Sequence, residues 1–411
     1  MNRNTWRVYI KLLADNGEYE NDFIEITDDV EVDKMSAIES SLDNNDYDIG
    51  IYKFSSISLT LRNDHGKYSD VGQPNSIFQY KRSDTLVKIT WEYTEEPAYC
   101  GFALADISYL SEEKTQFVGL LNDEALELEV GSQNVSFKVL GRESIFQKVI
   151  VPFGSISNGD TLNEVLFAVL NQPEITKLMN VDALKINVGN DQAIDSISSL
   201  QNKTVQQGLA TLLLVANSVF YIDANDNIVI KGRTASVDLK KTFYGQASRQ
   251  GSENIQALKK VRSGIARTFN FFTIEAGVTK LFAEDASSRA KYGTRAKAVT
   301  TDNFNTTPKC QNIVNALRSE FGQPKQEFDL YAPLDFEVEA LMLLDRVNVD
   351  YPSVYIEGED PLPICGAAEC GAAVLPKALW DFTLTTEEEY KILGKKIDPK
   401  TSIAQFKLRA I

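Results

Sequence analysis

The chain has 411 residues, enough for about two to four compact units, and its 43% hydrophobic and 24% charged residues are typical of globular proteins. Acidic residues outnumber basic ones by 58 to 42, and the resulting net charge of −16 argues against a surface that generally binds nucleic acid. No stretch approaches the roughly 18 apolar residues of a membrane span, and the N-terminal residues lack a signal-peptide pattern, so we expect folding in a cytoplasm.

The charge is distributed unevenly along the chain. Residues 1–50 contain thirteen Asp or Glu and four Lys or Arg, whereas residues 231–297 contain fourteen Lys or Arg and five Asp or Glu. In self-assembling proteins, complementary patches of this kind set the register between neighbouring copies. The alternative interpretation is two separate solvated faces.

The first 155 residues predict an antiparallel sheet that is closed or folded over on itself. Residues 5–32 alternate between apolar and polar side chains, as expected for half-buried strands, and Asn16-Gly17 predicts a turn between them. The apolar run of residues 49–62 ends at the polar turn Arg62-Asn63-Asp64-His65-Gly66-Lys67. Further strands are predicted at Leu86–Tyr93, Gly101–Tyr109, Phe117–Leu121 and Val135–Leu140.

Residues 156–235 change to a helical period and predict a small α/β domain. Apolar side chains recur at helical spacing over Leu162–Leu170 and again over Thr204–Asn217. The second helix leads directly into a predicted hairpin whose turn spans Asp223–Asn227.

Residues 236–411 return to strands, with one helix predicted at about 309–321. The apolar run that begins at Leu341 and continues to Val349 predicts a last strand, and the Pro-, Gly- and Ala-rich residues 352–378 predict a loop. The sequence therefore predicts a mainly β fold with α+β parts. Its predicted domains are 1–155 (β), 156–235 (α/β) and 236–411 (β, with a C-terminal loop).

Residues that carry catalytic or cofactor chemistry are scarce. His65 is the one histidine of the chain, which excludes a multi-histidine zinc site, and its polar surroundings favour an exposed turn position. No phosphate-binding Gly-x-x-x-x-Gly-Lys-Ser/Thr or Gly-x-Gly-x-x-Gly motif occurs. A pair of glycosidase carboxylates is left open, although the clusters Asp28-Asp29, Glu112-Glu113 and Glu387-Glu388-Glu389 are typical of solvated faces. We therefore predict no enzyme activity and no cofactor.

The four cysteines are too few and too scattered for a disulfide framework. Cys310 falls on the apolar face of its predicted helix, where a small buried hydrophobe is expected. Cys365 and Cys370 lack the tight C-x₂-C spacing of most metal sites. A metal site at this pair, or a cluster that also uses Cys100 and Cys310, is the alternative to a structural role.

Four segments carry patterns that occur in a fixed order. They are Phe54–Ser69 with Ser76-Ile77-Phe78, Phe117-Val118-Gly119 with Val135–Ile145, the helix and hairpin of 204–233, and Asp285–Arg295, which precedes a helix and Leu344–Val349. The first segment resembles the "SxTLDNxDGxFS" strand and turn, and the last resembles the "D-x-x-S-i-x-x-Y-G-x-r" segment, of hub and baseplate proteins of tailed phages. The ordered set is therefore similar to this family over most of residues 50–350.

The resemblance implies a trimeric hub with two tail-tube-like antiparallel β-barrels per subunit and an inserted α/β domain. Three such subunits form a ring continuous with the hexameric tail tube, and DNA passes through its channel without specific binding. The implied partners are the distal tail ring, tail tube and tape-measure proteins, together with separate fibre or receptor-binding proteins. The implied location is the virion tail tip, assembled in the host bacterial cytoplasm. We expect the carboxylates that face the channel to come largely from the acid-rich segments.

Two alternatives are left open. A distal tail ring protein, or a hub-like component of a phage-derived injection machine, also fits a β-rich assembly protein. The distal ring is usually a hexamer with a single tube barrel, so the number of barrels distinguishes it from a hub. A β-rich carbohydrate-binding or lytic tail protein instead predicts a monomer with an exposed aromatic groove.

Overall fold

The computed structural model describes residues 5–42, 55–69, 71, 73–78, 80–93, 112–128, 133–152, 154–223, 225–234, 236–245, 254–350 and 388–411. The strands in these ranges are β1 (Thr5–Lys11), β2 (Ile24–Glu25), β3 (Ile38–Ser41), β4 (Ser56–Arg62), β5 (Leu86–Tyr93), β6 (Glu112–Leu128), β7 (Asn134–Gly141), β8 (Ile186–Asn187), β9 (Ser218–Ile222), β10 (Ile228–Gly232), β11 (Leu239–Tyr244), β12 (Ala257–Arg262), β13 (Phe271–Ala276), β14 (Thr279–Glu284), β15 (Ala296–Thr300), β16 (Glu327–Pro333), β17 (Arg346–Asp350), β18 (Glu388–Asp398) and β19 (Ile403–Ala410). The α-helices are α1 (Leu162–Leu170), α2 (Pro173–Thr176), α3 (Val205–Val215), α4 (Ala286–Tyr292), α5 (Thr307–Phe321) and α6 (Phe336–Ala340). None of these helices is long and apolar enough to cross a membrane.

The first sheet has six antiparallel strands in the order β2-β1-β5-β6-β7-β4. Side chains alternate between its two faces, so that every second residue of β7 is buried. The chain that follows β2 crosses to β4 at the opposite edge, where Val30 forms a β-bridge with Leu61. The Glu31 N–H also donates to the Thr60 carbonyl over 2.9 Å. This closing segment, residues 26–36, converts the curled sheet into a barrel-like structure.

The second sheet has seven strands in the order β11-β17-β18-β19-β16-β12, with β3 paired to β18. It is mixed, because β11 runs parallel to β17, whereas its other pairs are antiparallel. A bulge between Ile392 and Gly394 bends β18, and residues 394–397 beyond the bulge pair with β3. Side chains from both barrel-like sheets form one hydrophobic core, so we call these two sheets together the β body.

A second hydrophobic core joins residues 146–232 and 269–321, which we call the α/β body. It contains two three-stranded sheets, β8-β10-β9 and β14-β13-β15, packed with α1, α3 and α5. Both α1 and α3 begin with a capping box, in which a threonine and a Glu or Gln satisfy each other's backbone N–H groups. The α/β body therefore draws on two separate stretches of the sequence.

The predicted mainly β fold with α+β parts and two tail-tube-like sheets is confirmed. The helices predicted near 162–170, 204–217 and 309–321 are present as α1, α3 and α5. The sheet β14-β13-β15 falls inside the region predicted as the second β domain, and the division of the chain into 1–155, 156–235 and 236–411 stays a prediction. The last strand, predicted from Leu341 to Val349, is confirmed only in its second part, as β17, because the chain turns at Leu343 and Leu344 between α6 and β17. Predictions for Gly101–Tyr109 and 352–378 lie outside the described residues.

Candidate assembly surfaces

The turn after β4 fixes the closing segment of the first sheet. His65, which is exposed, has a left-handed φ of 58° that turns the chain sharply. The Asn63 side chain accepts the Tyr68 N–H over 2.6 Å, and the buried Tyr68 donates its hydroxyl to Asp29 over 2.6 Å. Lys67 donates to the same carboxylate over 2.7 Å. Burial raises the pKa of Asp29, but these hydrogen bonds outweigh burial, and the pKa lies below its usual value.

The chain crosses from the first sheet to the second in the segment that carries β3, and β3 joins the second sheet by backbone pairing with β18. Next to this ladder, Lys395 donates its ammonium group to the carbonyls of Glu339 and Leu341, at the end of α6. Burial lowers the pKa of Lys395 to about 8. On the first sheet, the Gln116 amide donates to Glu339 Oε1 over 2.9 Å, and Lys114 lies 4.8 Å from the centroid of the Phe336 ring. The residues Gly394–Ile397, Lys114–Gln116 and α6 thus form the contact between the sheets.

Buried charged side chains join the second sheet to the α/β body. Glu320, near the end of α5, accepts a hydrogen bond of 2.7 Å from Lys391 of β18, and its carboxylate lies 3.7 Å from the Arg409 guanidinium. The Lys391 and Arg409 side chains are only 3% and 1% exposed. Glu327 of β16 lies 3.2 Å from Arg267 and 3.7 Å from Arg409. These five side chains form one ionic network, which we call the buried ionic junction.

The charges of the buried ionic junction depend on one another. Burial raises the pKa of Glu320, but the positive charges of Lys391, Arg409 and Lys325 together outweigh burial, and the pKa lies below its usual value. Burial lowers the pKa of Lys391 to about 8, although Glu320 opposes this shift. Removal of one partner from such a pair leaves a buried charge without compensation, which costs about 3–5 kcal/mol. The junction therefore requires a specific set of side chains.

A second contact holds the first sheet to the α/β body. Arg142 follows β7 and is buried, and its guanidinium donates to the Leu178 carbonyl over 3.0 Å. The same group forms an ion pair with Asp226, in the turn between β9 and β10. Asp223 shapes this turn, because its carboxylate accepts the N–H groups of Asn225 and Asn227, both over 2.9 Å. The hairpin that the sequence predicted is thus an attachment point between the two bodies.

The residues considered for chemistry do not come together within the described part of the chain. Cys310 is buried on α5, as its position on the helix predicted. Cys100, Cys365 and Cys370 lie outside the described residues, so a metal site at the last two stays a prediction. No group of three or more His, Cys, Asp or Glu side chains that could hold a metal occurs among the residues described.

Sequence analysis missed the buried ionic junction. In β19 the polar residues Gln405, Lys407 and Arg409 alternate with apolar ones, so the sequence pattern places Arg409 on a solvent-facing side, yet the structure buries it. Lys391 is likewise buried between Tyr390 and Ile392. A lone buried charge is costly, so the burial of these two side chains depends on their carboxylate partners.

The fold of this chain, with two barrel-like sheets that share one core and an attached α/β body, also occurs in solved phage tail proteins. The tail protein from Neisseria meningitidis superposes with a TM-score of 0.54 at 12% identity, over 99% of this chain and 96% of that one. The 43 kDa tail protein of prophage MuSo2 from Shewanella oneidensis superposes with a TM-score of 0.53 at 11% identity, over 98% of both chains. Prophage tail protein gp18 from Listeria monocytogenes superposes with a TM-score of 0.51 at 10% identity, over 98% of this chain and 94% of that one.

A longer chain has a similar fold over about half of its length. The Francisella PdpA–VgrG complex matches with a TM-score of 0.50 at 9% identity, over 99% of this chain and 53% of the matched chain. No family model and no curated protein matches the sequence. The predicted likeness to phage tail and baseplate proteins is therefore confirmed at the level of the fold.

Proposed function

We propose that this chain is a structural hub protein of a phage-type tail tip or baseplate, without enzyme activity, and that it assembles as a homotrimer. The observation that carries the proposal is the correspondence of its fold, over nearly the whole chain, to three tail proteins. Each copy supplies two barrel-like sheets, so three copies supply the six that a ring on a hexameric tube requires. A homotrimer thus matches the symmetry of the tube.

The ring continues the tail tube and forms part of the channel through which DNA passes. The net charge of −16 supports this role, because phosphates are repelled by carboxylates and held by Lys and Arg. The partners in this proposal are the distal tail ring, tail tube and tape-measure proteins, with separate fibre or receptor-binding proteins. The protein accordingly belongs to the virion and is assembled in the host cytoplasm.

The presence of two barrel-like sheets in one chain favours a hub over a distal tail ring protein, which needs one. A hub-like component of an injection machine has the same architecture and differs in its neighbours. A lytic or carbohydrate-binding tail protein differs in chemistry, and a peptidoglycan hydrolysis assay on the purified chain tests it directly.

Native mass spectrometry and negative-stain electron microscopy of the purified chain test the proposal. We expect a species near three times 45.8 kDa and a ring with six similar densities around a channel. A chain that stays monomeric at high concentration, or one that hydrolyses peptidoglycan, contradicts the hub.

A further inference from the structure

Each sheet of the β body has an edge strand that lies away from the contact between the sheets. In the first sheet, β6 contacts α6, and β2 lies three strands further along, in the order β6-β5-β1-β2. In the second sheet, β18 pairs with β3, and β12 lies three strands further along, in the order β18-β19-β16-β12. Within the described residues, β2 pairs only with β1, and β12 pairs only with β16. The two edges are therefore placed to meet other molecules.

The edge of the first sheet is strongly acidic. Six carboxylates around β2 are exposed: Asp15, Glu18, Glu20, Asp22, Glu25 and Asp28. Residues 12–33 contain no Lys or Arg, and Asp15, Glu20 and Asp22 make no ion pair with another described residue. Phe23 and Ile24 in their midst are 36% and 38% exposed, respectively. We call residues 15–28 the acidic edge.

The edge of the second sheet has the opposite charge. Lys259, Lys260 and Arg262 of β12 are exposed, and residues 254–274 contain no Asp or Glu. Lys259 lies 4.7 Å from the centroid of the Tyr331 ring, which leaves its charge at the surface. A register shift between Lys259 and Arg262 interrupts the ladder. Lysines and bulges protect a sheet edge from indiscriminate strand pairing, so contacts of β12 with other molecules would depend on its side chains. We call β12 the basic edge.

We propose that the acidic edge of one copy contacts the basic edge of the next copy in the ring. The inference rests on the proposed homotrimer. A cyclic head-to-tail contact needs two different surfaces on every copy, and these edges are different and complementary in charge. A two-fold contact of either edge with itself places like charges opposite each other. In this arrangement the carboxylates of residues 15–28 lie between copies.

Charge reversal of the full chain, followed by analytical ultracentrifugation over a range of concentrations, tests this contact. The acidic-edge variant is Glu20→Lys/Asp22→Lys, and the basic-edge variant is Lys259→Glu/Arg262→Glu. A combined variant carries all four changes. The control variant, Lys291→Glu/Lys400→Glu, reverses two exposed charges on α4 and on the turn after β18. Circular dichroism and thermal unfolding of each variant report whether it is folded.

Each single-edge variant is expected to fold normally and to dissociate at a concentration at least about tenfold higher than the wild type. The combined variant is expected to dissociate at the same concentration as the wild type, because both edges have exchanged sign and are again complementary. The control variant is also expected to dissociate at the wild-type concentration. If the wild type is monomeric throughout, the proposed function fails together with this inference. If the wild type assembles but folded single-edge variants assemble equally well, or the combined variant stays dissociated, only this inference is overturned.

Discussion

Two junctions of the β body, one inside it and one with the α/β body, differ in what holds them. The chain that leaves the first sheet joins the second sheet through a backbone ladder between β3 and β18, and an apolar core shared by both sheets lies beneath it. The second sheet meets the α/β body through the buried ionic junction around Glu320. A backbone ladder accepts many side chains, whereas a buried ionic network accepts few. The pairing of β3 should therefore tolerate side-chain substitution better than the buried ionic junction does.

The largest effect is expected from Leu42→Pro, which disrupts the backbone hydrogen bonding next to the β3–β18 ladder. The Leu42 N–H donates to the Leu393 carbonyl over 2.9 Å, and its side chain is 3% exposed. Leu42→Ala removes only the packing and costs about 2–5 kcal/mol in the free energy of unfolding. Proline also removes the N–H, so we expect a further loss of about 1–3 kcal/mol in urea titrations. Equal stability of the two variants contradicts a role for the ladder at this position.

The buried ionic junction is tested by Glu320→Gln, which leaves Lys391 and Arg409 buried without their carboxylate. We expect a loss of about 3–5 kcal/mol in the free energy of unfolding, measured by urea titration at neutral pH. The matched control is Glu174→Gln on the exposed surface of α2, which changes stability by less than about 0.5 kcal/mol. If Glu320→Gln lowers the free energy of unfolding no more than the control does, the stability of the junction does not depend on the charge of Glu320.

Alkaline pH tests the buried lysines of both junctions. Lys391 and Lys395 each have a pKa lowered by burial to about 8, against 10.5 for an ordinary lysine. Between these pH values the unfolded chain binds more protons, so the free energy of unfolding rises with pH, by something on the order of 1 kcal/mol per lysine. In Lys391→Met and in Lys395→Met, the free energy of unfolding should increase less with pH than it does in the wild type. A pH dependence in both variants that equals that of the wild type and of Lys400→Met contradicts the prediction.

The smallest effect is expected at the rim of the contact between the sheets. Gln116→Ala removes the 2.9 Å hydrogen bond to Glu339 and should cost about 0.5–1.5 kcal/mol in the free energy of unfolding. Gln133→Ala, at an exposed position before β7, is the control. If Gln116→Ala is as stable as this control, the contact rests on the ladder and the apolar core alone.

The sequence was sufficient where a local pattern decides the structure. Helical spacing identified α1, α3 and α5, and alternation identified β1, because burial on one face imposes these periods. The polar turn at Asn63–Lys67 was also predictable. Its role in holding the closing segment was not predictable, because Tyr68 donates its hydroxyl to Asp29, which lies 39 positions earlier in the chain.

Other features depend on contacts that no local pattern contains. Leu341, Leu343 and Leu344 are all buried, so their run looks like a strand, yet Leu344 has φ 66° and Asp345 accepts the Met342 N–H within a turn. The ladder between β3 and β18 and the buried ionic junction likewise join residues far apart in sequence. The charge asymmetry was visible from the start, but its placement on β2 and β12 needed the strand order.

The pairing of β3 with the part of β18 beyond its bend has a consequence for folding during synthesis. Ser41 pairs with Gly394, so roughly 350 residues must leave the ribosome before the segment that contains β3 finds its partner. Domains on the N-terminal side usually fold first during translation, and distant pairings form late. The segment that contains β3 therefore cannot take its place in the second sheet until translation has passed residue 397.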